Sequence, residues 1–537
     1  MAKKLRIVLA QLNLKVGDID GNVEKLIQAA HTARDTHLAE IIVFPELSIT
    51  GYPPEDLLLR KSFIDAANVG LNTFKNAVQG IHCIVGHPYQ TSQGLLNSCS
   101  VIHNGTILGR YNKQHLPNYG VFDENRYFVP GNSPCVVNIN GIPVGLLICE
   151  DLWYPGPPHQ AAIQGARLIL VPNASPFEVD KHTRRVAALA KYAKSANAPI
   201  VYVNNVGGQD ELIFDGGSMV VDQTGKLCQH AGFFKETLFP FEVEISSAET
   251  TVPTDSFALV DDEKRIYDAL VLGVRDYVHK NGFQGVMIGV SGGIDSALTL
   301  AIAVDALGKE NVTALFMPSR YTASISEESV KELTKNLGLD YQTYSIEPAF
   351  SQFISTLNLG EKPTLVEENL QSRCRGVILM ALSNKTGKLV LTTGNRSEYA
   401  VGYTTLYGDT VGALAVLKDI PKTWVYRLTD YRNNLDPIIP QSIVVRPPTA
   451  ELAPNQKDED TLPPYGILDK ILDLYLNQEQ GVSDIIAQGF DAQVVEKVVK
   501  LIKNSEYKRR QCPIGIRINH KSFGKDWRYP ITNGFKG

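Results

Sequence analysis

Val286-Met287-Ile288-Gly289-Val290, followed by Ser291-Gly292-Gly293-Ile294-Asp295-Ser296, decides the fold of the second half of the chain. An apolar run leads into a Gly-Gly pair, and the helix-forming run ALTLAIAVDAL follows, so the pattern predicts a buried strand, a tight loop and a helix. Adjacent glycines let the backbone approach an anion, the first amides of the helix point at it, and Ser291 and Ser296 add hydroxyls. Phosphate binding is the natural reading. The loop does not close with Gly-Lys-Ser/Thr, so it is not a Walker A cradle with its lysine. Asp295 stands there with the opposite charge, and a carboxylate beside phosphates makes sense when both share a divalent metal. The plainer alternative is a Gly-Gly turn with an aspartate capping the helix.

Around this stretch, 537 residues suffice for two or more domains, each with a full core. The 44% hydrophobic and 20% charged content is that of an ordinary globular protein, and a formal charge of -5 offers no basic field for nucleic acid. Seven cysteines (Cys83, Cys99, Cys135, Cys149, Cys228, Cys374, Cys512) are odd in number, scattered and never in a C-x-x-C pair. That argues for a reducing compartment and against structural zinc or a disulfide framework. The opening MAKKLRIVLAQLNL has too short an apolar run for a signal peptide or membrane span, so a cytoplasmic protein with no membrane contact is expected.

One composition shift divides the chain. SSAETTVPTDSFALVDD (246–262) is small and polar until the amphipathic pattern RIYDALVLGVRDYVHKNG begins, which gives a first domain at 1–245, a linker at 246–261 and a second domain at 262–537. In the first domain LRIVLAQL, EIIVFPEL, HCIVGHPY, NSCSVIHNG, PVGLLICED, RLILVPNAS, IVYVNNVG and SMVVDQTG read as strands, several buried on both faces. VEKLIQAAHTARDTHL and RRVAALAKYAKSANA have helical spacing, so two sheets covered by helices fit the pattern. Glu46, Lys113 and Cys149 stand at the ends of strand-like runs, where a base, an oxyanion-stabilising cation and a thiol nucleophile would together attack an amide. Singly, each has a plainer reading as a turn acid, a solvated charge and a small buried hydrophobe.

The local sequences FPEL, YNKQHLPN and ICEDLW, in that order, resemble the Glu-Lys-Cys triad of the nitrilase superfamily, whose members cleave carbon-nitrogen bonds through a thioester. The resemblance runs from residue 5 to about 245 and implies an α-β-β-α sandwich, with Glu46 as base, Lys113 as oxyanion stabiliser and Cys149 as nucleophile. Glu124, in FDENRYF, matches an additional acid beside the triad. NASPFEVDKHTRR resembles the substrate loop of the glutamine-using branch, which implies glutamine contacts from Tyr119, Ser175 and Lys181. That branch commonly has glycine just before the lysine; here Asp180 stands there.

In the second domain NVTALFMPSRYT, SISEESVKELTKNLG and DYQTYSI continue the alternation of strand and helix, which predicts a doubly wound parallel sheet. PTLVEENLQSRCRGVILMALSNKTG reads as a long helix with apolar positions at Val377, Leu379 and Met380; its polar side is either solvated or lines a pocket. KLVLTTGNRSE places Thr393, Asn395 and Glu398 at a strand end, the ligand edge of such a sheet, where Glu398 would share a metal with Asp295. The Pro-rich stretch 438–466 is too long for a passive turn and is expected to be a mobile lid. Lys508, Arg509 and Arg510 form a basic cluster near the C-terminus, either a bland surface run or phosphate ligands folded back to the loop.

SGGIDS resembles the pyrophosphate loop of the ATP-pyrophosphatase family, which attaches AMP to a substrate oxygen, and YTTLYGD, ENLQSRCRG and TTGNRSE resemble segments of the NAD synthetase family. With a nitrilase-type half upstream, the whole chain resembles the glutamine-dependent NAD synthetases. That implies a carbon-nitrogen ligase that adenylates deamido-NAD with ATP and magnesium, then amidates it with ammonia carried from glutamine along a protected passage, releasing AMP, pyrophosphate and glutamate. It also implies ATP contacts from Gly289, Val290, Ser291, Gly292, Gly293, Ile294, Asp295, Ser296, Thr393, Lys422, His520 and Lys521, and deamido-NAD contacts from Asn369, Glu398 and Lys508. Asp295 and Glu398 would be the metal ligands, and a homo-oligomer is expected on the same resemblance. Two other readings compete. A tRNA-thiolating relative would want a reactive cysteine pair and a basic surface, and a scaffold without catalysis would not need the intact triad and loop.

Overall fold

Along β1 (Lys3–Gln11) the side chains alternate between two cores: Leu5, Ile7 and Leu9 enter one, Val8 and Ala10 the other. A strand buried on both faces must lie between layers. In the computed structural model, which describes residues 3–246, 250–257, 260–360, 364–454 and 456–535, the layers follow in chain order as α1 (Ile19–Asp35), β2 (Ile41–Val43), α2 (Lys61–Ala77), β3 (His82–Gln90), β4 (Leu95–His103), β5 (Thr106–Asn112), β6 (Cys135–Ile139), β7 (Ile142–Leu146), α3 (Gly156–Ile163), β8 (Leu168–Asn173), α4 (Lys181–Ala196), β9 (Ile200–Asn204), β10 (Val206–Gln209), β11 (Leu212–Asp215), β12 (Met219–Val221), β13 (Leu227–His230), β14 (Thr237–Ile245) and β15 (Thr250–Thr251). One sheet has the order β15-β14-β1-β2-β3-β4-β5, the other β13-β12-β9-β8-β7-β6, and β10 pairs with β11 in a hairpin. β1 faces β9, and β2 and β3 face β8, so the sheets pack face to face. Val8, Ile42, Phe44 and Val85 meet Leu26 and Ala30 of α1 and Leu71 and Phe74 of α2; α3 lies on β7, and α4 on β12. This is the expected α-β-β-α sandwich.

The first compact unit spans Met1–Val260 and the second Asp261–Gly537. The stretch expected as a linker is partly built into the first unit. β15 pairs with the end of β14, Ile245 opposite Thr250, and the Asp255 amide donates to the Cys228 carbonyl at 2.9 Å. Backbone groups beside an open strand edge find ladder partners there. Residues 247–249 and 258–259 of that stretch lie outside the described residues.

The second unit contains α5 (Asp262–Lys280), β16 (Val286–Val290), α6 (Ile294–Leu307), β17 (Val312–Phe316), α7 (Ser324–Asn336), β18 (Tyr341–Thr343), α8 (Glu347–Leu357), α9 (Leu365–Thr386), β19 (Leu389–Thr392), α10 (Arg396–Val401), β20 (Leu414–Ala415), α11 (Lys422–Leu435) and β21 (Ile514–Gly515). Its sheet is parallel throughout, in the order β18-β17-β16-β19-β20-β21. α5, α6 and α11 pack together, while α9 lies against β16 and β19. The chain winds outward in both directions from β16, so the crevice between the carboxyl ends of β16 and β19 is the topological switch point where such sheets bind ligands. Helices at Tyr465–Leu472, Val482–Ala487 and Ala492–Asn504 form a further core with α10.

α9 does not bury its apolar positions as its sequence suggests. Gln371, Ser372, Cys374, Gly376 and Leu379 face inward, while Val377 is 67% and Met380 40% exposed. The inward face is mixed: Cys374 and Leu379 join a core with Met287, Leu315 and Val390, while Gln371 Nε2 donates to the Leu452 carbonyl at 2.9 Å. No helix among the described residues is long and apolar enough to cross a membrane.

Close approach also governs the end of β2. A Cβ added to Gly86 of β3 would stand 2.4 Å from the Leu47 nitrogen and 2.7 Å from the Pro45 oxygen, the backbone that flanks Glu46. Gly86→Ala should therefore destabilise the first unit by about 1–3 kcal/mol, read as a lower urea midpoint. An unchanged midpoint would mean that this strand end yields freely.

Candidate functional site

Glu46 follows β2, Lys113 follows β5, and Cys149 follows β7 by two residues. The three strand ends deliver them to one buried place. Lys113 Nζ donates to Glu46 Oε1 at 2.6 Å and to Glu124 Oε1 and Oε2 at 2.8 and 3.0 Å. Asn97 Nδ2 also donates to Glu46 Oε1 at 2.7 Å, the Ala174 amide to Glu46 Oε2 at 3.1 Å, and Tyr52 OH to Glu124 Oε1 at 2.7 Å.

Burial alone would depress the Lys113 ammonium, but Glu124 and Glu46 outweigh it and hold the amine well above its ordinary value. Burial pushes Glu124 up to about 7 against the pull of Lys113. Burial also drives the Cys149 thiol well above its usual value; Glu46 adds to this, while Lys113 and the Ala174 amide oppose it. Cys149 therefore rests as a thiol beside Glu46 and Lys113.

Cys149 has φ +43°, a left-handed conformation unusual for a non-glycine residue, and it opens a tight helical turn to Trp153. Asp151 holds that turn. Its Oδ2 accepts the Ile148 amide at 3.1 Å and Tyr111 OH at 2.9 Å, and its Oδ1 accepts the amides of Gln114 and His115 at 3.1 and 2.9 Å. One carboxylate thus joins the turn of the nucleophile to the loop of Lys113.

Tyr119, half-exposed at the rim, donates to both Glu150 oxygens at 3.0 Å. Burial raises Glu150 to about 7, opposed by Lys113, Tyr119 and Lys181. Lys181 pairs with Glu178 at 3.2 Å, and Asp180 before it has φ -97°, so the backbone there makes no demand for glycine. The Ser175 amide donates to Asn204 Oδ1 at 2.8 Å. Sequence reading did not single out Tyr52, Asn97, Glu150, Asp151 or Ala174; two adjacent acids after a nucleophile, in ICEDLW, are the signal that was available.

In the second unit the loop after β16 holds itself open. Ser296 Oγ accepts the Ser291 amide at 3.2 Å and donates to the Gly293 carbonyl at 3.0 Å, while Ser291 Oγ accepts the Gly293 amide at 3.2 Å. Gly292 has φ +83°, and a Cβ there would lie 2.7 Å from the Ser326 carbonyl oxygen, so the position requires glycine on both counts. Asp295 pairs with the buried Lys422 and accepts from Asn395 Nδ2 at 2.9 Å. Asn395 and Glu398 form a reciprocal cap at the start of α10, each accepting the other's amide at 3.1 Å.

One cavity is lined by Ser291 to Ser296, Thr393, Glu398 and Lys422, and also by Thr449, Glu451 and Asp458. A second, lined by Gly289, Val290, Phe316, Met317, Arg375 and Leu379, shares Ser291, Thr393 and Asp409 with the first. A polar, phosphate-sized end thus adjoins an apolar one, as a nucleotide requires. The expected lid contains a helix, Gln441–Val445, and lines the cavity through Arg446 to Glu451 and Asp458; Asn455 lies outside the described residues.

Burial and the charge of Asp295 hold Glu398 well above its usual range, against Lys422. Two carboxylates that repel across a phosphate cavity suit a divalent cation. Among the described residues no group of three or more His, Cys, Asp or Glu is placed to hold a metal, so a cation there would complete its shell with phosphate oxygens and water, as magnesium does.

The other expected ligands divide. Lys508 Nζ donates to the Gly402 and Thr404 carbonyls at 2.8 and 2.7 Å, and Asn369 Oδ1 accepts from Thr405 Oγ1 at 2.8 Å. Both therefore brace the 402–409 loop, whose Tyr403, Thr404 and Asp409 line the cavity. Arg509 is buried against the Ala400 carbonyl and Glu506, and Arg510 pairs with Glu506 at 2.9 Å, so with Lys508 all three basic side chains are bound within the protein. His520 and Lys521 do not line either cavity; Lys521 pairs with Glu479. Asp419 accepts the amides of Ile518 and Asn519, each at 2.7 Å, and so fixes the backbone just before them.

Residues 6–251 match the carbon-nitrogen hydrolase family and residues 266–512 the NAD synthase family. A glutamine-dependent NAD(+) synthetase of Xylella fastidiosa is 47% identical over all of both chains. The chain belongs to the glutamine-dependent NAD(+) synthetase family. The solved structure of that synthetase from Acinetobacter baumannii, in complex with adenosine diphosphate, is 44% identical, covers 99% of each chain and has a TM-score of 0.79. The synthetase of Cytophaga hutchinsonii, at 22% identity over 99% of this chain and 98% of its own with a TM-score of 0.83, shares the fold. Members of this family use ATP as a substrate, in keeping with the paired cavities.

Glu150 carries a testable consequence. Its proton is held more tightly in the folded than in the unfolded chain, so its contribution to stability is full below about pH 4.5 and is lost as pH rises towards 7. Glu150→Gln removes that dependence. Relative to wild type the variant should gain about 2–3 kcal/mol between pH 5 and 7.5, measured by urea unfolding at both values; parallel wild-type and variant profiles would overturn the assignment.

Proposed function

We propose that the chain forms NAD from deamido-NAD, ATP and glutamine, with Cys149 producing ammonia and the Ser291–Ser296 loop activating the acceptor. The observation that carries this reading is the presence in one chain of a buried Glu46–Lys113–Cys149 group and a phosphate cavity containing Asp295, Glu398 and Lys422.

In the first unit Glu46 takes the Cys149 thiol proton as sulfur attacks the glutamine amide carbon. Lys113, already cationic, stabilises the oxyanion. Collapse to the thioester expels the amide nitrogen, to which Glu46 returns the proton as ammonia leaves. Water then attacks the thioester, again through Glu46, and glutamate is released. Tyr119, Ser175, Glu150 and Lys181 hold the amino-acid end, with Glu124 keeping Lys113 in place.

In the second unit a carboxylate oxygen of deamido-NAD attacks the α-phosphorus of ATP, and pyrophosphate leaves. The loop amides from Gly292 to Ser296, the hydroxyls of Ser291, Ser296 and Thr393, and Lys422 cradle the phosphates. Asp295 and Glu398 would hold magnesium, which would neutralise phosphate charge. Glu398 and the 402–409 loop braced by Asn369 and Lys508 position the dinucleotide. Ammonia attacks the acyl carbon of the adenylate, AMP leaves, and NAD results. Ammonia released into water would be protonated and lose its lone pair, so the nitrogen needs a protected passage. His520 and Lys521 serve here only if the tail rearranges once ATP is bound. A cytoplasmic setting is consistent with seven free cysteines.

NAD formation with glutamine or ammonium as nitrogen donor tests the division of labour. Cys149→Ala should abolish glutamine use and keep ammonium use, whereas Asp295→Asn should lower both by about 10²-fold or more, as expected when a charge-stabilising group is lost. Wild type that makes no NAD from either donor would refute the substrate assignment.

A further inference from the structure

The largest fully buried side chain among the described residues is Arg185 of α4. It touches none of the groups assigned above to proton or acyl transfer. Nη1 donates to Asp215 Oδ1 and Oδ2 at 2.8 and 2.9 Å; Nη2 donates to the Ser175 and Pro176 carbonyls at 2.7 and 3.0 Å and to Ser175 Oγ at 3.1 Å. Nε reaches the same hydroxyl at 3.3 Å. On the far side of this peptide Asn204 accepts the Ser175 amide at 2.8 Å and donates to the Ser175 carbonyl at 3.1 Å.

A buried ion pair contributes little net stability, because desolvation offsets most of the attraction. What this one does supply is placement. All of its bonds other than those to Asp215 fall on residues 175 and 176. One residue earlier, the Ala174 amide donates to Glu46 Oε2 at 3.1 Å and pulls the Cys149 thiol down against the effect of burial. The Glu46 amide in turn donates to the Asn173 carbonyl at 3.3 Å. The 173–176 backbone is thus gripped by Arg185 and Asn204 at one end and by Glu46 at the other.

We propose that Arg185, held by Asp215, is a positioning residue for glutamine cleavage: it fixes the 174–176 loop so that the Ala174 amide serves both Glu46 and Cys149 while Ser175 faces the substrate. This rests on the role of Cys149 given above. Only a guanidinium supplies five donors in a rigid fork; a lysine in its place keeps the charge beside Asp215 but cannot span the Ser175 and Pro176 carbonyls together.

Arg185→Lys and, independently, Asp215→Asn test this in the full chain. NAD formation is measured with glutamine and with ammonium, and Cys149 alkylation by iodoacetamide is followed against pH by peptide mass spectrometry. Displacing a catalytic backbone by about 1 Å costs about 10²-fold in rate, so glutamine-dependent kcat/KM should fall by about that factor with ammonium-dependent synthesis unchanged. The alkylation profile should move about half a pH unit or more upward as the thiolate loses its amide donor. A packing defect alone would leave that profile in place. Glutamine activity within threefold of wild type, or a superimposable alkylation profile, overturns the proposal, as does failure of both variants to fold, which would assign the pair to stability. Wild type inactive with glutamine would instead refute the role of Cys149.

Discussion

The first unit depends on keeping one ammonium out of water. Lys113 is enclosed by Glu46 and Glu124, and a buried cation survives only when its desolvation is offset by close anions and hydrogen bonds. Two carboxylates on one amine leave an excess negative charge. Asn97, the Ala174 amide and Tyr52 spread it by donating to the remaining lone pairs. The strand ends must therefore converge to within hydrogen-bond distance, and the sandwich supplies the stiffness: β2 is buried on both faces and its turn is pressed against Gly86 of β3.

The second unit has the opposite electrostatics. Asp295 and Glu398 face a cavity in which Lys422 is already committed to Asp295, and burial with the charge of Asp295 favours the neutral form of Glu398, so the excess negative charge of the pair is suppressed until a ligand arrives. Helix amides and serine hydroxyls favour phosphate. A divalent cation arriving with the phosphates would draw Glu398 back to its ionised form. The first site is complete in itself, whereas the second is completed by its ligands.

This difference also explains what was legible in the sequence. The SGGIDS loop could be read because strand, glycine turn and helix are adjacent in the chain and each depends on local conformation. The triad could be read from three short motifs, although nothing local shows that residues 46, 113 and 149 meet. The bonds of Asp151, Arg185 and Asn204 could not be read, because they run to amides and carbonyls 10 to 37 residues away. The tail was ambiguous for a related reason. Lys508 and Arg509 could be read as a surface run or as phosphate ligands, and in the structure they serve backbone carbonyls of 399–404, where α10 ends and its carbonyls lack helical partners. α9 likewise exposes Val377 and Met380, because Cys374 and Leu379 take the core side, with Gln371 and Ser372 bonded beside them.

Nitrogen imposes the remaining constraint. The amide of glutamine is poorly nucleophilic, and ammonia in water is mostly protonated, so a usable lone pair exists only between the two chemistries. In the reading proposed above, cleavage at Cys149 would release the nitrogen among buried groups, where the proton at hand is the one Glu46 takes from the thiol. A further proton from Lys113 would turn the product into ammonium, useless to the adenylate. Glu124 and Glu46 hold that lysine cationic, so it keeps its protons. The same contacts that make the buried ammonium tolerable therefore limit how many protons the nitrogen can collect before it leaves.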